Sequence, residues 1–197
     1  RVSMHRMHRS LHGTLLAILL ASLVSPASAA DVHLGMGLRV GEVRGHSAIV
    51  WTRVTATAKR NETGHREPKK RTPRVADYVP STVPLTSRQG EIDGAAGEVR
   101  VHWYRKGKKK DRRKSAWVRV SKQHDFTHQF ALDRLEPGRS YRVTVESRAG
   151  AEAKISATAR GSFQTPSAAD TPQDVTFTVV TGQSYWDLDD PAGYHIY

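Results

Sequence analysis

The sequence predicts an all-β fold, two antiparallel sheets packed face to face, on three observations. Short segments alternate apolar and polar residues with period two, no segment of useful length carries a helical period, and turn residues punctuate the segments at short intervals. Residues 47–53, Ser-Ala-Ile-Val-Trp-Thr-Arg, are rich in β-branched and aromatic side chains. Val99, Val101 and Trp103 then alternate with Arg100, His102 and Tyr104. Val118 and Val120 lie on a face opposite Arg119. Phe126, His128, Phe130 and Leu132 share one face of the next segment, and Tyr141, Val143 and Val145 share a face opposite Arg142, Thr144 and Glu146. A last strand is expected over about 154–163. Sheets that alternate in this way bury one face each, so they pack against one another.

The turn Leu135-Glu136-Pro137-Gly138-Arg139-Ser140-Tyr141 narrows the class. Pro and Gly make it tight, and the following strand places the Tyr141 hydroxyl where it reaches back to turn backbone. That is a tyrosine corner, frequent in immunoglobulin/fibronectin type III-like β-sandwiches. The sandwich is expected to span 31–166.

Two stretches stand outside the alternation. Residues from about 57 to 97 hold Pro68, Pro73, Pro80, Pro84, Gly64, Gly90 and Gly94 among many charges, the composition of a mobile insertion without a regular element. Residues 106–114 read as a charged hairpin tip, where like charges also discourage pairing between sheet edges.

The chain has 197 residues, 31 Lys+Arg against 19 Asp+Glu, and no cysteine. Disulfides, thiolate metal ligands and cysteine nucleophiles are thereby excluded. The basic excess gathers at 59–74 and 105–114, segments without apolar periodicity, so solvated loops are expected and no nucleic-acid partner.

At the amino terminus Arg1, Arg6 and Arg9 precede an apolar run over 15–24, followed by Ser25-Pro26-Ala27-Ser28-Ala29. Positive region, apolar run and Ala-Ser-Ala site in that order make residues 1–29 a secretory signal peptide, too short in its apolar part for a stable membrane span. The mature chain then starts near Ala30 or Asp31, carries 28 basic against 19 acidic residues, and works in the periplasm or outside the cell. Because the sequence opens on Arg and has Met4 and Met7 as plausible initiators, a gene model or a fragment is expected rather than an intact protein.

Residues 167–174 form a small, polar, proline-bounded linker, and Val175-Thr176-Phe177-Thr178-Val179-Val180 is a near-continuous β-branched run. Such a run suits a strand buried on both faces, of the kind that opens an α/β domain.

Four pieces in order carry a family resemblance: Gly41-Glu42-Val43 with Ala48 to Arg53, the Leu-x-Pro-Gly-x-x-Tyr turn, Gly161-Ser162-Phe163-Gln164-Thr165-Pro166, and 179–190 leading into Gly193-Tyr194-His195-Ile196-Tyr197. Together they resemble the amino-terminal region of the alkaline phosphatase D (PhoD-like) family. The resemblance implies a signal peptide and fibronectin-like domain joined to a calcineurin-like metallophosphatase domain, whose truncated start would be 175–197. It further implies phosphate ester substrates and a catalytic domain that uses iron and calcium, where metal activates water and neutralises phosphoryl charge. The family's Ser-Cys-Gln, with its cysteine ligand, is matched by Thr181-Gly182-Gln183, and glycine has no side-chain ligand atom. The family's Gly-Asp-x-x-Tyr-Tyr-Asp metal motif is not matched in this chain.

No catalytic or cofactor-binding residue is expected within the chain. Asp187, Asp189 and Asp190 are oxygen donors for a hard cation or simply an exposed turn. His124 and His128, four apart, fall at a strand entrance and read as surface or packing histidines before metal ligands. Ser140 and Ser162 lack His-Asp partners at a suggestive spacing. Trp51, Trp103 and Trp117 are expected in the sandwich core. A second functional reading, from a different class, is a stand-alone secreted module that holds anionic polymers on its basic loops.

Overall fold

A computed structural model describes residues 30–66, 82–172 and 174–179. Eight strands form two sheets: β1 (Leu38–Gly41), β2 (Ala48–Arg53), β3 (Gly97–Arg105), β4 (Arg113–Lys114), β5 (Val118–Val120), β6 (Thr127–Leu132), β7 (Ser140–Arg148) and β8 (Ala157–Gln164). All named pairings are antiparallel. One sheet runs β1-β2-β6; the other runs β4-β3-β7-β8, with β5 also on β3. This three-against-four arrangement, with β4 and β5 sharing one edge, is the expected immunoglobulin/fibronectin-like sandwich.

Alternation decides the core. Val50, Phe130 and Leu132 of the small sheet meet Val99, Val101, Val120, Tyr141, Val143 and Val145 of the large one, all buried. Each such side chain contributes about 1.5–3 kcal/mol on leaving water. The tyrosine corner forms as expected, the Glu136 N–H donating to the Tyr141 hydroxyl at 2.8 Å, while the Tyr141 ring stacks on Phe163.

β4 and β5 lie in line along β3, interrupted at Ser115. There the Ser115 N–H donates to the Val101 carbonyl (2.9 Å), and its hydroxyl accepts from the Val101 N–H (3.1 Å). A side-chain oxygen thus stands in for a ladder carbonyl, as at a β-bulge.

The insertion departs from the expectation of a featureless loop. Its two ends run together: Thr55 bridges Gly94, Ala56 N–H donates to the Asp93 carbonyl, and Asn61 N–H to that of Glu91. His65 bridges Arg88, and Leu85–Ser87 make a 3₁₀ turn. Thr55, fully buried, accepts from Gly35 N–H and donates to the Thr57 carbonyl, tying down the stem. Arg53 then clamps the far side, binding both carboxylate oxygens of Asp125 (2.9 and 3.1 Å) and the Ile92 carbonyl (2.8 Å). That grip holds Asp125 and Phe126 in left-handed backbone, at φ 48° and 57°, a conformation that costs L-residues about 1–2 kcal/mol each. Gly94 is required beside them, because a Cβ there would collide with the Phe126 ring.

Past β8, Thr165 is fastened under the 135–139 turn, and Pro166 accepts from Gly138 N–H at 2.7 Å. Residues 174–179 have no regular structure, and Val175, Phe177 and Val179 are 72–80% exposed. Among the described residues no helix is long and apolar enough to cross a membrane. The signal-peptide segment 1–29 lies outside the described residues.

Candidate functional site

Two surfaces concentrate polar side chains. The first is the outer face of the large sheet, built by the alternation that sends the valines inward. The β3–β7 register sets Arg100 opposite Glu146 and Glu98 opposite Arg148. Arg100 Nε and His102 Nε2 meet the same Glu146 oxygen, at 2.7 and 2.9 Å. A carboxylate only accepts, so His102 Nε2 carries the proton. Burial pushes the Glu146 carboxyl up, but the hydrogen bonds and charges of His102 and Arg100 outweigh it and hold the group below its ordinary value. Arg148 binds Glu98 at 2.7 Å. Both guanidiniums, Arg100 and Arg148, also lie over Trp117, 4.4 and 4.3 Å from its centroid. Both carboxylates of this network, Glu98 and Glu146, are already engaged, while His102 Nδ1 is buried without a partner.

The second surface is one pole of the sandwich. Gly107, at φ 83°, turns the hairpin between β3 and β4, which presents Lys106, Lys108, Lys109, Lys110, Arg112, Arg113 and Lys114, all exposed. Between this hairpin and the 134–136 turn opens a cleft of ≈ 230 Å³, with Trp103, Leu135 and Tyr141 among its lining. Arg105 is committed to Glu136 at 2.6 Å. Arg113 rests one N–H group on the Asp133 and Arg134 carbonyls, both at 3.3 Å.

The candidate residues from the sequence are dispersed. Asp187, Asp189, Asp190 and Gly182 lie outside the described residues. His128 packs edge-on against Phe130 at 4.5 Å, and burial lowers its pKa. His124 is exposed and offers its carbonyl to the Thr127 hydroxyl. Ser140 and Ser162 face Gln164 and Arg142 in the β7–β8 register. No group of three or more His, Asp or Glu side chains able to hold a metal occurs among the described residues.

The tryptophans need correction. Trp103 packs against the core as expected, but Trp51 and Trp117 do not. Trp51 alternates with buried Val50 and Thr52, and Trp117 precedes inward-facing Val118 and Val120, so both point to the outer faces. Sequence reading also missed the Arg100–Glu146–His102 cluster. Its members were correctly assigned to polar faces; only the strand register pairs them.

The family model for the N-terminal domain of PhoD-like phosphatases matches residues 20–167. The chain belongs to that family. Solved structures similar to this PhoD-like N-terminal domain include that of PhoD itself, at 15% identity and TM-score 0.41, over 73% of this chain and 20% of that one. The chain therefore spans a fifth of the PhoD structure's length. The third fibronectin III domain of a human protein matches at 18% identity and TM-score 0.34, over 78% of this chain and 99% of that domain. The sensor domain of the anti-sigma factor RsgI4 in Pseudobacteroides cellulosolvens matches at 10% identity and TM-score 0.38, over 73% and 100%. No curated protein matches the sequence.

Proposed function

We propose that the PhoD-like N-terminal domain is the non-catalytic front domain of an exported phosphoesterase, and that a metallophosphatase domain following it in the same polypeptide hydrolyses phosphate esters. The family match over 20–167 carries this reading. The three apolar side chains at 175, 177 and 179 support it. They recur at every second position and stand in water, the pattern of apolar side chains that a further domain would cover. The 167–174 stretch is then the linker and 1–29 the cleaved signal peptide.

Among the described residues nothing fits the iron and calcium that the family resemblance implies. Gly182, at the cysteine ligand position, has no donor atom, and the satisfied carboxylates of the outer face are held by arginines. Metal would reside in the catalytic domain.

The test has two arms. The purified chain, supplied with iron and calcium, is expected not to hydrolyse p-nitrophenyl phosphate above background; metal-dependent turnover would overturn the non-catalytic assignment. Secreted protein should begin at Ala30 or Asp31 by amino-terminal sequencing, and retention of residues 1–29 in the cytoplasm would overturn export. The alternative of a stand-alone module on anionic polymers is favoured by no observation on 175–179, which such a module would not need.

A further inference from the structure

The cleft at the basic pole contrasts in its electrostatics with the Arg100–Glu146 and Glu98–Arg148 network of the outer sheet face. On the outer sheet face every arginine of the network meets a carboxylate within 2.7 Å. In the cleft, Arg105 alone is so placed, on Glu136. Arg113 has only two long contacts to carbonyls, which fix one of its nitrogens and leave the remaining edge of the guanidinium open. Arg134, 82% exposed, lies 3.9 Å from its nearest carboxylate oxygen, on Asp133. Three arginines thus line one concavity against the two acids Asp111 and Glu136, with Arg113 lacking a carboxylate partner among the described residues and Arg134 having only a long one, beside a hairpin crowded with lysines that raises the local potential further.

Guanidinium forks match carboxylate and phosphate oxygens in shape. The other lining groups say what the anion is attached to. Asp111 would repel a bare anion but accepts hydrogen bonds from hydroxyls, and Trp103 and Tyr104 supply aromatic surface of the kind that packs on a ring. At ≈ 230 Å³ the cleft is smaller than the ~300–1,000 Å³ of drug-sized sites, so it suits a single ring. We propose that this cleft binds a sugar unit bearing a phosphate or carboxylate, with Arg113 and Arg134 on the anionic group and Asp111 on ring hydroxyls. The site shares the 134–136 turn with the anchor of Thr165, where the chain leaves the sandwich. A polymer held by one acidic sugar would therefore lie close to whatever follows.

Titration of the full chain, followed by tryptophan fluorescence and calorimetry, tests this with glucose 6-phosphate, glucuronate, glucose and inorganic phosphate. Binding of either acidic sugar, weakened by salt and absent for glucose, is expected. Arg113→Gln and Arg134→Gln, both at exposed positions and so tolerated by the fold, should each weaken it by about tenfold or more. Asp111→Asn should weaken the sugars relative to inorganic phosphate, whose binding should tighten as the repelling charge is removed. Comparing the two acidic sugars identifies the preferred anion. Inorganic phosphate binding as tightly as glucose 6-phosphate would refute the sugar assignment. Binding unaffected in both arginine variants, or lost only when Lys108, Lys109 and Lys110 are neutralised, would refute the cleft.

Discussion

Replacing Tyr141 by Phe isolates one hydrogen bond from the packing that surrounds it. The ring keeps its burial and its stack on Phe163, 5.4 Å between centroids; what disappears is the hydroxyl that accepts from Glu136 N–H at 2.8 Å. That N–H has the Tyr141 hydroxyl as its acceptor in the turn, so the Phe variant leaves it without that partner. Leaving a partly buried donor unpaired costs about 1–3 kcal/mol, and partial exposure of this turn to water places the expected value near 1–2 kcal/mol. For a sandwich of this size the melting temperature moves about 3–4 °C per kcal/mol, a drop of about 3–8 °C. Thermal unfolding of the full chain by near-ultraviolet circular dichroism measures it, and amide exchange at Glu136 should accelerate out of proportion to the rest. Tyr141→Ala removes the ring as well and should cost about 3–5 kcal/mol. A Phe variant that melts with the parent and leaves Glu136 exchange unchanged would refute the hydrogen-bond argument, and equal losses for Phe and Ala would refute the division between bond and packing.

Trp117→Ala should lower stability by about 1–2 kcal/mol, the loss of two cation–π contacts, with Trp117→Phe intermediate; urea midpoints check the order. Acid should act in two steps with different owners. The lowered His128 gives the unfolded chain the stronger affinity for protons, so stability present above the ordinary histidine value of 6.5 declines as pH falls below it. The lowered Glu146 contributes stability that is complete above its ordinary value of 4.5 and lost as pH falls through the folded value; Glu146→Gln should be less stable at neutral pH and flatten that lower limb alone in urea titrations at stepped pH.

Much of the sandwich was legible because period two fixes which residues share a face. It placed Tyr141, Val143 and Val145 together, and the Pro-Gly turn located the tyrosine corner. The same rule, applied strictly, would have sent Trp51 and Trp117 outward with Arg53 and Arg119. Their size and apolar character argued for the core, yet the cations of Arg100 and Arg148 give Trp117 an alternative covering at the surface. β1 was missed because Leu38-Arg39-Val40-Gly41 is too short to show alternation and forms through pairing with β2. The insertion stem was missed for a related reason: its order comes from contacts across dozens of residues, Thr55 with Gly94 and Arg53 with Ile92, which local composition does not encode. The cleft likewise joins a hairpin to a turn about twenty residues on, by way of Arg113 and the Asp133 carbonyl.

The break at Ser115 has a consequence for solubility. An unbroken margin along β3's neighbour would offer a foreign strand a long row of free amides and carbonyls to zip onto. Because that margin is cut into pieces of two and three residues, and the shorter one is Arg-Lys beside a lysine-studded loop, an incoming chain gains few consecutive bonds and meets repulsion as it docks. The hydroxyl of a single serine thereby makes this margin a poor template for a foreign strand.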